Sequence, residues 1–532
     1  MFDLTDEEVL FNLEYNLAYQ VALGLDLDEA SCCQKTLHNF RVKLIQSQAD
    51  VLVFRSLTDR IVAGLGVNAG KQRLDSTHIL SNIARLTRLS LFCETIRTFL
   101  CSLQKSWSSK FDTIPASLRR RYLRDDGRET RFGDVASREA PRRLAVCARD
   151  VWRLVDRFRG DSKVRRMQVY GFLKRLLEEQ CEIVTAPVAG VENDADASEP
   201  GVPVTVKKPE DVRSDSLQTP HDPDVTYSGH KGKGYEVQVA ETLGNGEVPE
   251  IITHVDVTRL CDSDEQATIP VVESLVERGI QPQEMVADAA FGSTANVMAC
   301  QDLGTELVAP VSGHVADRVD DEEVRKEDFL VDPTGENKSV CPAFHVAVRE
   351  EWDADRRTIR CYFEGATCNR CELGERCSVR RLKDGTRVLT TTDRSALLEE
   401  RRFYEQTDEF RERYAQRAGI EATNPELKRR HGLGRIRTRG VARVRPAVYL
   451  KSVACNIKRM VTYLAERAAA TEPTATMATA GGRVDERVTR SKSCRSPQGD
   501  QLREISTVRL EHGFFPGESR FVFNILQGRG AL

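Results

Sequence analysis

Residues 414–440, YAQRAGIEATNPELKRRHGLGRIRTRG, place a carboxylate, Glu421, upstream of a basic run that starts at Lys428. At about 100° per residue, Arg417, Glu421 and Lys428 fall about 300°, 340° and 320° from Tyr414, so one helix face would carry all four. From Lys428 to Arg459 the chain holds eleven Lys or Arg and no Asp or Glu. Such a density is the electrostatic footprint of a polyanion-binding surface, because each phosphate neutralised releases condensed counterions. A carboxylate there repels the ligand that the face attracts, unless a cation lies between them. Mg2+ is the usual mediator, since it prefers carboxylate oxygens and bridges them to phosphate. Taken alone, the run also fits a solvated basic helix with an isolated Glu. Pro425 interrupts the pattern four residues after Glu421. It removes a backbone N–H, so the helix is expected to kink there, or to end at Thr423–Asn424 and restart with Pro425 in its first turn.

A second set of chemistry-bearing residues is Cys341, Cys368, Cys371 and Cys377, within CNRC and CELGERC. A C-x2-C knuckle with two further thiols fits tetrahedral zinc, with Cys361 as a fifth candidate; ordinary free thiols in a reducing compartment are the alternative. His230, Lys231 and Lys233 in GHKGKG suit either phosphate contact or a Gly-rich turn with solvated lysines. His78 reads as structural, and Cys32 and Cys33 as small buried hydrophobes.

The elements that must position these residues follow from patterning. Thr5 and Glu8 form a capping box, Val9, Leu10, Leu13, Leu17 and Val21 repeat on one face, and Gly24 closes the helix. Ser31 is expected to cap a second helix. KQRLDSTHIL (71–80) reads as a short strand ending near Asp75, and residues 79–180 as a helical, Arg-rich stretch. Residues 186–220 lack periodicity and read as a linker or long loop. YEVQVAETL and EIITHVDVT alternate like paired strands around GNGEVP. A Ser263-capped helix follows, then a strand stopping at Asp288 and a further strand in TELVAPV. Carboxylates at strand ends of an open α/β sheet lie where ligand crevices form. The 532 residues carry a net charge of only −3, so the basic character is local. The acidic N-terminus MFDLTDEEVL lacks the basic and apolar regions of a signal peptide, and no apolar run spans a membrane. The odd count of fifteen cysteines does not suggest a secreted disulfide framework.

Three motifs resemble the insertion-sequence transposases of the DDE type: Tyr414, Arg417, Glu421 and Lys428 at the family's spacing; ADAAFG (287–292) around Asp288; and LDSTHI (74–79), similar to the family's Asp-x-Thr around Asp75. The resemblance spans about residues 5–463. It implies an α/β, RNase H-like mixed sheet with flanking helices, a helical N-terminal DNA-binding region (1–70) and a catalytic domain (71–463). Within that domain it leaves a helical insertion at about 79–185, the linker at 186–220 and a Cys-bearing insertion at about 315–395. A low-complexity tail covers 464–532. The resemblance also implies a triad of Asp75, Asp288 and Glu421 binding Mg2+ or Mn2+. Tyr414, Arg417 and Lys428 would support Glu421 and contact transposon-end DNA, and similar cysteines in this branch favour structural Zn2+. Arg429, Arg430, Arg435, Arg437 and Arg439 are the further expected contacts to double-stranded DNA, at transposon ends and target. A homodimer and a cytoplasmic, nucleoid-associated location complete the expectation. The activity implied is metal-dependent cleavage and strand transfer; the alternatives are a catalytically decayed DNA-binding relic, which the late start of the chain favours, or a nuclease without joining. Asp222 and Asp224, closer in sequence to Asp288, are the rival first carboxylates; the β-branched neighbours of Asp75 favour Asp75, and the Asp-Pro pair suits a turn.

Overall fold

KQRLDSTHI forms the strand Lys71–Ile79, covered on both faces from Gln72 to Asp75 and alternating in burial only from Ser76 on, and it is the central one of a six-stranded mixed sheet. In this computed structural model the described residues are all except 1–3, 27–30, 85, 125–129, 184–202, 245, 312–323, 333–335, 378, 472–504, 509–522 and 527–532. Much of the expected linker, the start of the expected Cys-bearing insertion and most of the expected tail lie outside them. The chain divides into two units: Asn68–Leu243 with Ile252–Ser452, and Met1–Val67 with Gly244–Ile251 and Val453–Leu532.

In the first of these, Lys71–Ile79 pairs antiparallel with Gly232–Thr242, which pairs antiparallel with Ile252–Arg259. On its other side it pairs parallel with Glu284–Val286, itself parallel to Glu306–Val308. The short strand Thr226–Ser228 folds back on the start of Gly232–Thr242. The first strand does not end near Asp75 as expected. It runs on to Ile79, because Thr77 and Ile79 are β-branched and find partners in Val237 and Tyr235.

The period of two sends Leu74 and Asp75 to opposite faces. Leu74 joins Ala240, Val272, Leu275, Met285 and Phe291 in a core covered by helices Thr268–Glu277 and Thr294–Asp302. Across the other face runs helix Asp408–Ala415, whose Phe410 packs on Val286 and Val308. Here Arg73 and Glu241 form an ion pair of 2.6 Å with side chains 3% and 0% exposed. The pair reaches out of the sheet: Arg73 Nη1 donates to the Gln416 carbonyl (3.1 Å), and Thr423 Oγ1 donates to Glu241 Oε2 (2.7 Å). Residue 419 must be glycine for this approach, since a Cβ would lie 2.0 Å from Arg73 Nη1.

The helical insertion packs Phe92, Ile96, Phe99 and Leu103 of Arg88–Ser106 against Val151 and Leu154 of Ala140–Phe158 and Leu173 and Leu176 of Gln168–Gln180. The expected linker is corrected at its C-terminal part. Val204–Val206 pairs with Cys181–Ile183, and Ser216 and Leu217 are buried. Helix side chains satisfy this segment's backbone: Glu179 Oε2 accepts from Leu217 N (2.6 Å), and Arg175 donates to the carbonyls of Asp215 (2.8 Å) and Pro223 (3.0 Å). Polar composition therefore did not mean an unpacked chain. The Cys-bearing region contains a second, four-stranded antiparallel sheet: Arg380–Arg381, Arg387–Thr392, Thr358–Phe363 and Arg349–Asp353 in that spatial order.

In the other unit the Thr5–Glu8 capping box forms, but the expected first helix is split. Asn16 ends Asp6–Tyr15 and caps Leu17–Leu23 through Ala18 N, with Gly24 closing in the left-handed conformation. Helix Gln34–Gln46 starts from Cys33 without a side-chain cap, so Ser31 does not serve. Helix Val441–Thr471 extends past residue 463, and its Asn456 donates to Thr58 of Ala49–Leu65 (3.3 Å). Ile505–Val508 and Phe523–Leu526 form a two-stranded pair within the expected tail.

The Arg73–Glu241 pair generates a stability prediction. Glu241→Ala leaves a buried guanidinium uncompensated and should lower unfolding free energy in urea by about 3–5 kcal/mol. Replacing both partners with Arg73→Met and Glu241→Leu should cost less than the single change. A single change without effect would show that the pair does not hold the segment.

Candidate active site

Tyr414, Arg417 and Glu421 lie on a continuous right-handed rod that changes pitch along its length. Helix Asp408–Ala415 passes into a 3-10 turn at Gln416–Gly419, helix Ile420–Pro425 and a π turn at Glu426–Arg430. Pro425 neither ends nor restarts the helix: its dihedrals are φ −63° and ψ −36°, and the wider turn follows directly after it. The next turn closes at i→i+5, with His431 N donating to the Glu426 carbonyl (3.3 Å).

The rod brings Arg417 to the acidic face of the sheet. Its Nη2 donates to Asp75 Oδ1 at 3.2 Å and lies 3.8 Å from Asp288 Oδ2, while Nη1 lies 3.8 Å from Glu421 Oε1. The three carboxylates thus meet at one guanidinium, although Asp75 and Arg417 are 342 positions apart in sequence. Asp75 comes from the middle of the central strand. Asp288 follows Glu284–Val286 and is fixed by Ala290 N donating to Oδ1 (2.9 Å), while Phe291 anchors the turn in the core. Exposure rises across the set, with side chains 12%, 32% and 70% exposed for Asp75, Asp288 and Glu421.

Charge governs this cluster. Burial holds the Asp75 carboxyl above its usual range, Arg417 pulls it back, and Asp288 pushes it up further. Burial opposes the charge of Arg417, but Asp75, Tyr414 and Asp288 raise its pKa on balance. Tyr414 is held by stacking on Phe410, with centroids 5.6 Å apart and planes 9° from parallel. Asn424, unremarked in the sequence, donates through Nδ2 to Asp75 Oδ2 (2.9 Å). Its amide oxygen is buried without a hydrogen-bond partner, as is Arg417 Nε. Three carboxylates with an unsatisfied amide oxygen beside them have the donor chemistry that a divalent cation prefers, but among the described residues the three carboxylates do not bring their oxygens within 4.8 Å of one another, and Arg417 lies between them.

Lys428 is half-buried, and its ammonium is destabilised by burial and by Lys231, with Asp75 and Glu236 opposing. Lys231 is exposed but paired: it bonds Glu236 and, at 3.3 Å, Ser76 Oγ, and lies 3.8 Å from Asp264. Lys233 donates to the Leu86 carbonyl (2.8 Å), and His78 Nε2 bonds the Lys233 carbonyl (3.0 Å). Arg429, Arg430, Arg435, Arg437 and Arg439 are exposed. The segment carrying the last three is braced along the extension of the central strand, with Leu80 N donating to the Gly434 carbonyl (3.1 Å) and Ile436 N to the Leu80 carbonyl (2.7 Å). The rival aspartates have other partners. Asp222 is buried and accepts from Tyr235 Oη (2.6 Å), and Asp224 accepts from Val441 N (2.9 Å) at the start of the last helix.

Cys341, Cys368, Cys371 and Cys377 line one cavity of about 30 Å³ together with His345 and Arg387. Burial raises the Cys368 thiol; Arg387 offsets this, and the other three cysteines raise it again. No three of these sulfurs lie within 4.8 Å of one another, a looser set than a closed tetrahedral shell. Their thiolate chemistry and shared cavity suit a soft cation such as zinc. Cys361 stands apart: it donates to Ser339 Oγ (3.3 Å), and burial pushes its thiol up to about 11.

If Arg417 is the balancing charge, Arg417→Gln should raise the pKa of Asp75 further. A carboxyl whose folded pKa is raised stabilises the fold fully at low pH, and this is lost as pH rises from the unfolded value through the folded one. The unfolding free energy of Arg417→Gln should therefore fall more steeply than wild type as pH rises above about 4. Urea melts at fixed ionic strength without divalent cations measure this, and equal slopes would remove Arg417 from that role.

No helix among the described residues is long and apolar enough to cross a membrane. No curated protein and no solved structure matches the chain. The model of a family described as transposase DDE domain matches residues 340–461, taking in the cysteines, Tyr414, Arg417, Glu421 and Lys428 and leaving Asp75 and Asp288 outside. That match supports a DDE-type transposase.

Proposed function

We propose that the chain is a transposase with an RNase H-like core that cleaves double-stranded DNA at transposon ends and joins the freed ends to target DNA, using Asp75, Asp288 and Glu421 as its metal-binding carboxylates. The observation that carries the reading is the convergence of those three side chains on Arg417, within 3.8 Å in each case. The RNase H-like assignment is supported by a mixed sheet whose first strand is central and bears Asp75. Mg2+ or Mn2+, when bound there, supplies Lewis-acid polarisation of phosphate oxygens and activation of water.

The chain's own residues act on charge and position. Arg417 keeps three like charges together, and Asn424 orients the Asp75 carboxylate through Oδ2. Lys428, Arg429 and Arg430 follow Glu421 and bind backbone phosphates beside the reacting one, while Arg435, Arg437 and Arg439 extend that grip along the braced segment. In the first reaction a water oxygen bonds to phosphorus, the bond from phosphorus to the 3′-oxygen breaks, and that oxygen takes up a proton as a 3′-hydroxyl. In the second, the 3′-hydroxyl loses its proton and bonds to a target phosphorus, whose own 3′-oxygen leaves. The active complex is read as a homodimer. Zinc on Cys341, Cys368, Cys371 and Cys377 is read as structural, fastening the second sheet.

Asp288→Asn and Asp75→Asn should each reduce metal-dependent cleavage to a few per cent of wild type or less while leaving DNA binding intact. Asp224→Asn should retain strand transfer. A strand-transfer assay with a 3′-hydroxyl donor reads all three, and also distinguishes a relic that does not cut from a nuclease that cuts without joining. An active Asp75→Asn beside a dead Asp224→Asn would move the triad to the second aspartate.

Protein purified under reducing conditions should contain about one zinc per chain, and Cys371→Ser should lower its thermal stability, since structural sites contribute on the order of 10 kcal/mol in apparent binding free energy. Metal analysis showing none would remove the zinc assignment.

A further inference from the structure

The helical insertion carries a charge pattern that the proposed reaction does not use. From Ala116 to Arg166 the chain holds sixteen Lys or Arg against eight Asp or Glu, in a chain whose net charge is −3. The excess gathers around one polar cavity of about 410 Å³, which is lined, among the described residues, by five arginines, Arg121, Arg142, Arg143, Arg149 and Arg153, and two carboxylates, Glu139 and Asp150.

Helix Ala140–Phe158 explains the gathering. Cys147, Ala148, Val151, Leu154 and Phe158 face the core of the insertion, so Arg142, Val146, Arg149 and Arg153 follow one another along a different stripe at i, i+4, i+7 and i+11. Three of the arginines are fixed from beneath. Asp150 is fully buried, accepts from Tyr122 Oη (2.7 Å) and pairs with Arg121 and, at 3.7 Å, with Arg153. Arg143 lies over the Phe132 ring at 4.7 Å and donates to the Phe132 carbonyl (3.2 Å), and Arg121 lies over the same ring at 5.8 Å. Planar guanidiniums held in this way lose little freedom when they bind phosphate oxygens. Arg142 is exposed and Arg149 half-exposed at the rim.

We infer that this arginine stripe is a second DNA-binding surface, gripping the phosphate backbone of duplex DNA away from the carboxylate cluster. The inference rests on the reading of the chain as a DNA transposase and goes beyond it by giving the helical insertion a task. An extended polyanion fits better than a small anion because the guanidiniums form a line instead of closing on a point. Over the about 16 Å of helix from Arg142 to Arg153, a duplex presents on the order of ten phosphate charges. The contact reads charge and not sequence, since among the described residues the cavity's one ring, Phe132, is covered by Arg143 and Arg121, and guanidiniums are what meet the phosphates.

The test uses the full chain and a fluorescent duplex of about 30 base pairs of arbitrary sequence, titrated over a range of salt concentrations. Arg142→Gln/Arg149→Gln should weaken binding at least tenfold at low salt. It should also reduce the slope of log K against log salt by about 1 to 2, because each lost phosphate contact removes about 0.9. Arg142→Lys/Arg149→Lys, which keeps the charge, should recover most of the slope. Should the Gln pair fail to fold by circular dichroism, Arg142→Gln alone, at an exposed position, is the variant to read, with a slope change of about 1. Wild-type binding with unchanged affinity and slope in a folded Gln variant would overturn the inference and leave the transposase reading standing. Absence of any DNA binding by the wild type would overturn both.

Discussion

Like charge repels, and the site is organised around that fact. Asp75, Asp288 and Glu421 cannot be collected within reach of one atom group unless something positive sits among them. Arg417 is that group, at 3.2 Å from the first and 3.8 Å from each of the others. The arrangement remains under electrostatic tension, visible in the raised carboxyl of Asp75, which burial and Asp288 push up against the pull of Arg417. A site in that condition has a reason to accept further positive charge. The graded exposure from Asp75 to Glu421 leaves the outer side of the cluster open to a ligand.

Holding Arg417 there requires a second, deeper electrostatic contact. Arg73 and Glu241 pair on adjacent strands inside the sheet and use their remaining capacity on Gln416 and Thr423, which flank Arg417 and Glu421. The register between Lys71–Ile79 and Gly232–Thr242 sets Arg73 opposite Glu241 and, two residues on, points Asp75 to the same face. Strand pairing and helix docking are therefore one problem, solved by a single buried pair. Pro425 fits the same account: with the helix seated on the sheet from Gln416 to Thr423, the missing N–H is absorbed by a wider π turn instead of a break.

Around this centre the chain adds two bodies with different means of support. The helical insertion has an aromatic and aliphatic core, and its outer face carries arginines organised by a buried aspartate. The Cys-bearing region has a smaller core, in which Cys341, Cys368 and Cys377 pack beside Phe329, Phe363 and Leu389. A small sheet with little apolar area gains from a cross-link or a metal in a way that a three-helix core does not.

Much of this was legible in the sequence. The alternation in YEVQVAETL and EIITHVDVT sufficed to pair those strands, because period two is a local property. The capping box at Thr5 and the spacing of Tyr414, Arg417 and Glu421 are likewise written within a few residues of chain. So is the knuckle at Cys368 and Cys371. Other features depended on residues far apart. Asn16 splits the first helix because its side chain accepts from Ala18 N and caps a new one, which hydrophobic periodicity does not register. Residues 203–220 read as linker by composition, yet Arg175 and Glu179 bury and bond them. Sequence favoured Asp75 over Asp224 through its β-branched neighbours, but only the tertiary structure put it beside Arg417, and gave Asn424 its place at Asp75 Oδ2. The reason is physical: a carboxylate's neighbours are chosen by sheet register and helix docking, which bring together positions hundreds of residues apart, and no local pattern encodes that distance.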